Sequence, residues 1–136
     1  MIALDTNVLV RYLVNDDPLQ AEEARALLEG LTFENQGFIC REVVLEIVWV
    51  LERFYQFTRS RIADVLIELI ATDYLVVETA DDIARAALAY GKGSVGFADW
   101  LILSAAGRSG AVPLHTFDRR LARMEGAILV GGGTGR

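Results

Sequence analysis

The sequence is short of the residues that most often carry covalent or soft-metal chemistry. Cysteine occurs once, at Cys40, so neither a disulfide framework nor a paired-thiolate zinc site is available. Histidine occurs once, at His115, which excludes catalysis by a histidine pair and any His-rich metal site. Lysine occurs once, at Lys92; the other twelve of the thirteen basic residues are arginine. A compositional bias of the source genome explains that skew more readily than a demand for bidentate pairing with carboxylate or phosphate. No apolar run reaches about 18 residues without a charge, so no membrane-spanning helix is expected. The amino terminus, MIALDTN, has no basic run, so no secretory signal is expected, and the cytoplasm is the expected compartment. Excess positive charge is missing too: the formal net charge is −6 and the pI is near 4.7. A non-specific nucleic-acid binder is normally basic. Any contact with nucleic acid must therefore run through a local patch or through bound cations.

What is present suffices for a core. Of 136 residues, 53% are hydrophobic and 24% charged, which excludes a disordered chain. The length predicts one domain, over 1–130, followed by a flexible Gly-rich tail over 131–136. Short apolar runs at 2–4, 37–40, 74–78, 112–115 and 127–130 read as strands. Helical patterns separate them at 18–28, 41–57, 59–72, 81–90 and 97–108, with a short helix from Arg119. Strands joined through helices of ten or more residues imply parallel βα units, hence a doubly wound α/β/α sandwich. In such folds ligands bind beyond the carboxyl ends of the strands.

Acids fall at that edge. Asp5 follows the first strand, in LDTN, and Asp118 follows the fourth, in HTFD. Each has a plain alternative as the cap of a turn or helix, and Thr116 shares that alternative. Asp99 opens the helix over 97–108, where a carboxylate also favours the helix dipole. On the helix from Arg41, Val43, Ile47, Val50 and Phe54 form a stripe, and Glu46 lies about 60° from its centre. Glu46 thus borders the buried face, either as a functional acid or as a rim glutamate reaching water; Glu42 lies further round and Glu52 points away. Two carboxylates about 4 Å apart repel by about 4 kcal/mol at an effective dielectric of 20. Gathering four at one edge calls for a cation. Oxygen-only ligands point to Mg²⁺ or Mn²⁺, one or two ions, rather than zinc.

The segments ALDTNVLVRYL, REVVLEIVWVLERFY, GFADWLILSAAGRSG and LHTFDRRL, in that order and spacing, resemble the PIN-domain ribonucleases of the VapC toxin type. The resemblance runs from Met1 to about Val130. It implies a five-stranded parallel sheet of order 3-2-1-4-5 and makes Asp5, Glu46, Asp99 and Asp118 the metal-site acids. Thr6, Asn7 and Thr116 match supporting positions. It also implies a homodimer, inhibited by a small antitoxin protein. The expected activity is metal-dependent endonucleolytic hydrolysis of RNA, leaving 5′-phosphate and 3′-hydroxyl ends, in a toxin–antitoxin pair. Arg11, Arg41, Arg119, Arg120 and Arg123 lie near the site segments as candidates to hold RNA phosphates. Trp49, Trp100 and Phe117 are candidates to stack on bases, against a core or interface reading for the tryptophans. Two other readings fail on single residues. A haloacid-dehalogenase phosphatase needs Asp where Asn7 stands, and a receiver domain needs a late Lys, whereas the chain has only Lys92. The remaining alternative is an inactive PIN-like module that docks protein or RNA without cleaving.

Overall fold

The computed structural model describes residues 1–131. The tail expected to be flexible lies, beyond Gly131, outside the described residues. The chain is an α/β structure. In order it forms β1 (Ile2–Ala3), α1 (Thr6–Val14), α2 (Pro18–Glu29), β2 (Gly37–Ile39), α3 (Arg41–Arg53) and α4 (Arg59–Ala71). Then come β3 (Leu75–Val77), α5 (Ala80–Lys92), α6 (Phe97–Arg108), β4 (Leu114–Thr116), a 3₁₀ turn (Leu121–Arg123) and β5 (Ala127–Leu129).

All strand pairs are parallel. β1, β2 and β3 pair in that order, with Ala3 opposite Phe38 and Phe38 opposite Val76. β4 pairs with β5, Leu114 opposite Ala127. The neighbour relations 3-2-1 and 4-5 are therefore as expected. Among the described residues the strands form these two ladders, with no hydrogen-bonded pairing between β1 and β4. β1 has only two residues. The backbone N–H groups of Ile2 and Leu4 both donate towards the β2 side, to Gln36 and Phe38. β2 is the middle strand, and Gly37 is the residue that lets it in. A Cβ there would come within 2.8 Å of Leu4 and 3.2 Å of Leu75.

Two expectations about helices need correction. The helical patterns read from the sequence begin only at residue 18, yet Asp5 caps a further helix, α1, which ends at Asn15 in the left-handed conformation that Asn tolerates. The helix expected over 41–57 stops at Arg53, since Gln56 takes a positive φ and Thr58 caps α4. The buried face of α3 is Val43, Val44, Ile47, Val48 and Leu51 rather than a stripe through Val50 and Phe54, and Phe54 is 71% exposed. That face, with Leu9, Ile39, Ile62 and Ile83, forms the core. Burying such aliphatic side chains is worth about 1.5–3 kcal/mol each.

Candidate active site

Each of the four acids sits where a short strand hands over to a helix or within the first turns of one. Asp5 is the N-cap of α1. Its carboxylate accepts from the Thr6 backbone N–H at 2.8 Å, and the side chain is exposed. The next residue, Thr6, is buried, and its hydroxyl donates to Glu46 Oε1 at 2.8 Å. That bond links the start of α1 to the second turn of α3. Glu46 itself is exposed; its partner is the Thr6 hydroxyl rather than an arginine on its own helix. Asn7 is exposed and borders a separate cleft between α1 and α2.

Asp99 and Asp118 form the second half. Asp99 stands in the first turn of α6, partly buried, with its Oδ2 over Gly96; a Cβ at Gly96 would lie 3.3 Å from that oxygen. Burial first, and then the charge of Asp118, hold the Asp99 carboxyl above its usual range, against a backbone hydrogen bond from Gly96. Asp118 is exposed. Its Oδ1 accepts from the backbone N–H groups of Arg120 at 2.8 Å and Leu121 at 3.1 Å. Its own N–H donates to the Thr116 hydroxyl at 3.0 Å. Asp118 and Thr116 are thus local caps and, at the same time, charged neighbours of Asp99. The cap and the functional reading describe the same residues.

The acids come together as two linked pieces, one through Thr6 and Glu46 and one through Asp99 and Asp118. Among the described residues no three of them close into a group able to hold a metal ion as they stand. The donor set still matches a hard divalent cation, since every candidate is a carboxylate oxygen. Asp99 is raised by its burial first and by the charge of Asp118 second, and a cation beside it would offset both.

The arginine expectations divide. Arg41 is not free for RNA. Its guanidinium donates to Thr79 Oγ1 at 2.7 Å and to the Leu101 carbonyl at 3.3 Å, and lies 3.6 Å from Asp82. Position near a site segment concealed this, because the partners are 38 to 60 residues away in sequence. Arg11 bonds Gln20 and Asp16. Arg119 and Arg120 are exposed. Trp100 packs against the core, whereas Trp49 is 51% exposed and stacks edge-on with Phe54 at 5.8 Å.

Sequence reading missed Asp82, which is buried and takes Arg85 at 2.9 Å, Arg108 at 2.8 Å and Arg41. Only Arg85, three residues on, was a visible local signal. Glu52 does not point away, since it accepts from the fully buried Tyr90 hydroxyl at 2.7 Å.

The profile of the PIN domain family matches residues 2–127. The chain belongs to the PIN domain family. A relative from Aquifex aeolicus (strain VF5), named VapC ribonuclease, is 28% identical over 125 residues, covering 91% of this chain and 92% of its own length.

Proposed function

We propose that this PIN-domain chain is a divalent-metal-dependent endoribonuclease and the toxin of a toxin–antitoxin pair, acting in the cytoplasm as a homodimer. The observation that carries the reading is Asp99, a carboxylate partly buried in the first turn of α6 and raised by that burial and by the neighbouring charge of Asp118. The relative named VapC ribonuclease supports RNA as the substrate and a cognate antitoxin as the partner.

In this reading Asp5, Asp99 and Asp118 would hold Mg²⁺ or Mn²⁺, and Glu46 would complete the set or act through a water. Such an ion, when bound, supplies charge neutralisation at the phosphate and makes hydroxide available near neutral pH. The chain's own part is positioning. Thr6 holds Glu46 by one oxygen and leaves the other to accept a proton from an attacking water. The N–H groups of Arg120 and Leu121 fix one oxygen of Asp118 and so its orientation. Thr116 steadies Asp118 through its hydroxyl. With water as nucleophile the 2′-hydroxyl takes no part, so the ends are 5′-phosphate and 3′-hydroxyl rather than a cyclic phosphate.

A second reading, a docking module without activity, draws on the separation of the acids into two pieces. One titration separates them. Structured RNA is incubated with increasing Mg²⁺ or Mn²⁺ and either the wild type or Asp5→Asn. Metal-dependent cuts with 5′-phosphate ends, lost in the variant, are expected. A cyclic-phosphate product refutes the mechanism, and absence of metal binding in both proteins leaves the docking module.

A further inference from the structure

Arg59, the first residue of α4, spends its guanidinium hydrogen bonds on backbone alone. Its Nη1 donates to the carbonyls of Tyr90 at 3.2 Å and Val95 at 2.9 Å, and its Nη2 to that of Ser94 at 3.3 Å. Among the described residues no carboxylate lies within ion-pair distance of it. Its Cζ stands 4.5 Å from the centroid of the Tyr90 ring, and Tyr90 in turn meets Phe97 edge-on at 5.8 Å. Gly91 permits this approach. A Cβ there would come within 2.9 Å of the Ala63 Cβ, so the start of α4 and the end of α5 close together only over glycine.

The bond to Tyr90 is an ordinary one, since an arginine often satisfies the last carbonyls of a helix. The bond to Val95 has a different consequence. Val95 lies beyond α5, which ends at Lys92, and its carbonyl belongs to the same peptide group as the Gly96 N–H. Gly96 is the N-cap of α6, and its backbone donates to the Asp99 carboxylate. The Asp99 Oδ2 lies so close that a Cβ at Gly96 would stand 3.3 Å from it. A trans peptide group is planar, with its C=O and N–H pointing opposite ways. A guanidinium that fixes the Val95 oxygen therefore aims the Gly96 N–H and polarises it towards its acceptor. The flanks are held as well: the Val95 side chain is buried, and the Gly96 carbonyl accepts from the Trp100 N–H at 3.2 Å. Three of the six residues over 91–96 are glycine, so this segment has little stiffness of its own.

We propose that Arg59 is a positioning residue for the metal site: through the Val95–Gly96 peptide group it sets the direction of the Asp99 carboxylate, without touching metal or RNA itself. Groups that hold a metal ligand from behind orient it and tune its basicity. The inference rests on the metal-dependent reading above. It adds a residue from α4, a helix that carries none of the four acids.

The test compares the whole chain with Arg59→Met, which keeps an unbranched stem, and with Arg59→Lys, which keeps the charge but not the fork. Arg108→Met serves as the stability control, because it loosens the Asp82 joint at the other end of α6. Free Mn²⁺ is followed by electron paramagnetic resonance during titration. Arg59→Met should weaken Mn²⁺ binding roughly tenfold, the low end for loss of a group behind a ligand, and Arg59→Lys should recover part of it. Arg108→Met should lower the melting temperature and leave Mn²⁺ binding unchanged. In EDTA, the Gly96 amide proton of ¹⁵N-labelled protein should move upfield in Arg59→Met and stay in place in Arg108→Met. Unchanged Mn²⁺ binding in Arg59→Met, or an equal loss in Arg108→Met, overturns the proposal. So does a raised KM for RNA with an unchanged demand for Mn²⁺, which makes Arg59 a phosphate ligand instead. Wild type that binds no Mn²⁺ removes the metal reading by itself. The Gly96 amide then decides whether Arg59 governs this peptide group: a shift keeps that link, and an unmoved resonance removes it.

Discussion

Two carboxylates of this chain sit near the beginnings of neighbouring helices and behave in opposite ways. Asp82, in the first turn of α5, is buried and enclosed by Arg41, Arg85 and Arg108. Burial pushes its carboxyl up, but hydrogen bonds from Arg108 and Arg85 outweigh that and hold it below the usual range. Asp99, in the first turn of α6, has no arginine partner among the described residues, and its burial first and the charge of Asp118 second hold its carboxyl above the usual range. The chain thus neutralises one acid internally and withholds cations from the other. A carboxylate closed off by guanidinium groups is a structural joint. One left against a second acid, at an edge open to solvent, has charge to spare for an external cation.

Substitutions can break each side of that contrast. The largest effect is expected at the open side. Asp118→Asn should lower metal-dependent RNA cleavage by roughly 10²–10³-fold, the scale of losing one preorganised electrostatic group. Initial rates at saturating Mn²⁺ measure it, and a loss below threefold would move Asp118 back to a cap. At the closed side, Asp82→Asn should leave the arginines without their counter-charge and cost about 2–3 kcal/mol of stability. That is the low end for a buried pair, because Arg85 and Arg108 reach solvent. Denaturant unfolding near pH 7 checks the value. The Asp82 contribution should be present above the unfolded carboxylate pKa near 4 and disappear as pH falls through its lower folded value. Between the two stands Thr6→Val, which removes the bond to Glu46 while keeping the branched shape. It should cost about 1–2 kcal/mol, with Thr6→Ser restoring it.

The two regions were not equally legible in the sequence. The candidates for the open site could be picked out because each acid lies at a fixed offset from a short apolar run: Asp5 and Asp118 follow strands, and Asp99 opens an apolar helix. Glu46 could be read from helical periodicity, although the buried face of α3 is centred on Val44 and Ile47 rather than on the expected stripe. The Thr6–Glu46 bond, spanning 40 residues, could not. The closed site was hidden for the same reason. Arg41, Asp82 and Arg108 start or end different helices, and only packing of α3, α5 and α6 unites them. Arg41 therefore passed for a phosphate ligand. Similarly, no local feature announced α1, since Asp-Thr-Asn suits a turn as well as a helix start.

The smallest expected effect sharpens the contrast most, because its sign is opposite on the two sides. A carboxyl whose folded pKa is raised makes its ionised form a cost to the folded state. That cost is felt above the folded value and relieved as pH falls through it. Asp99→Asn should therefore stabilise the metal-free protein at neutral pH, by less than about 1 kcal/mol since Asp99 is only partly buried. It should also flatten the gain in stability that the wild type shows just above the usual carboxylate range as pH is lowered. Added Mg²⁺ or Mn²⁺ should raise the melting temperature of the wild type by mass action and leave the variant nearly unmoved. Thermal melts of both proteins, with EDTA and with metal, measure all three. If Asp99→Asn instead destabilises the metal-free protein as Asp82→Asn does, then Asp99 is also a structural joint, and the division between a satisfied acid and an available one does not hold.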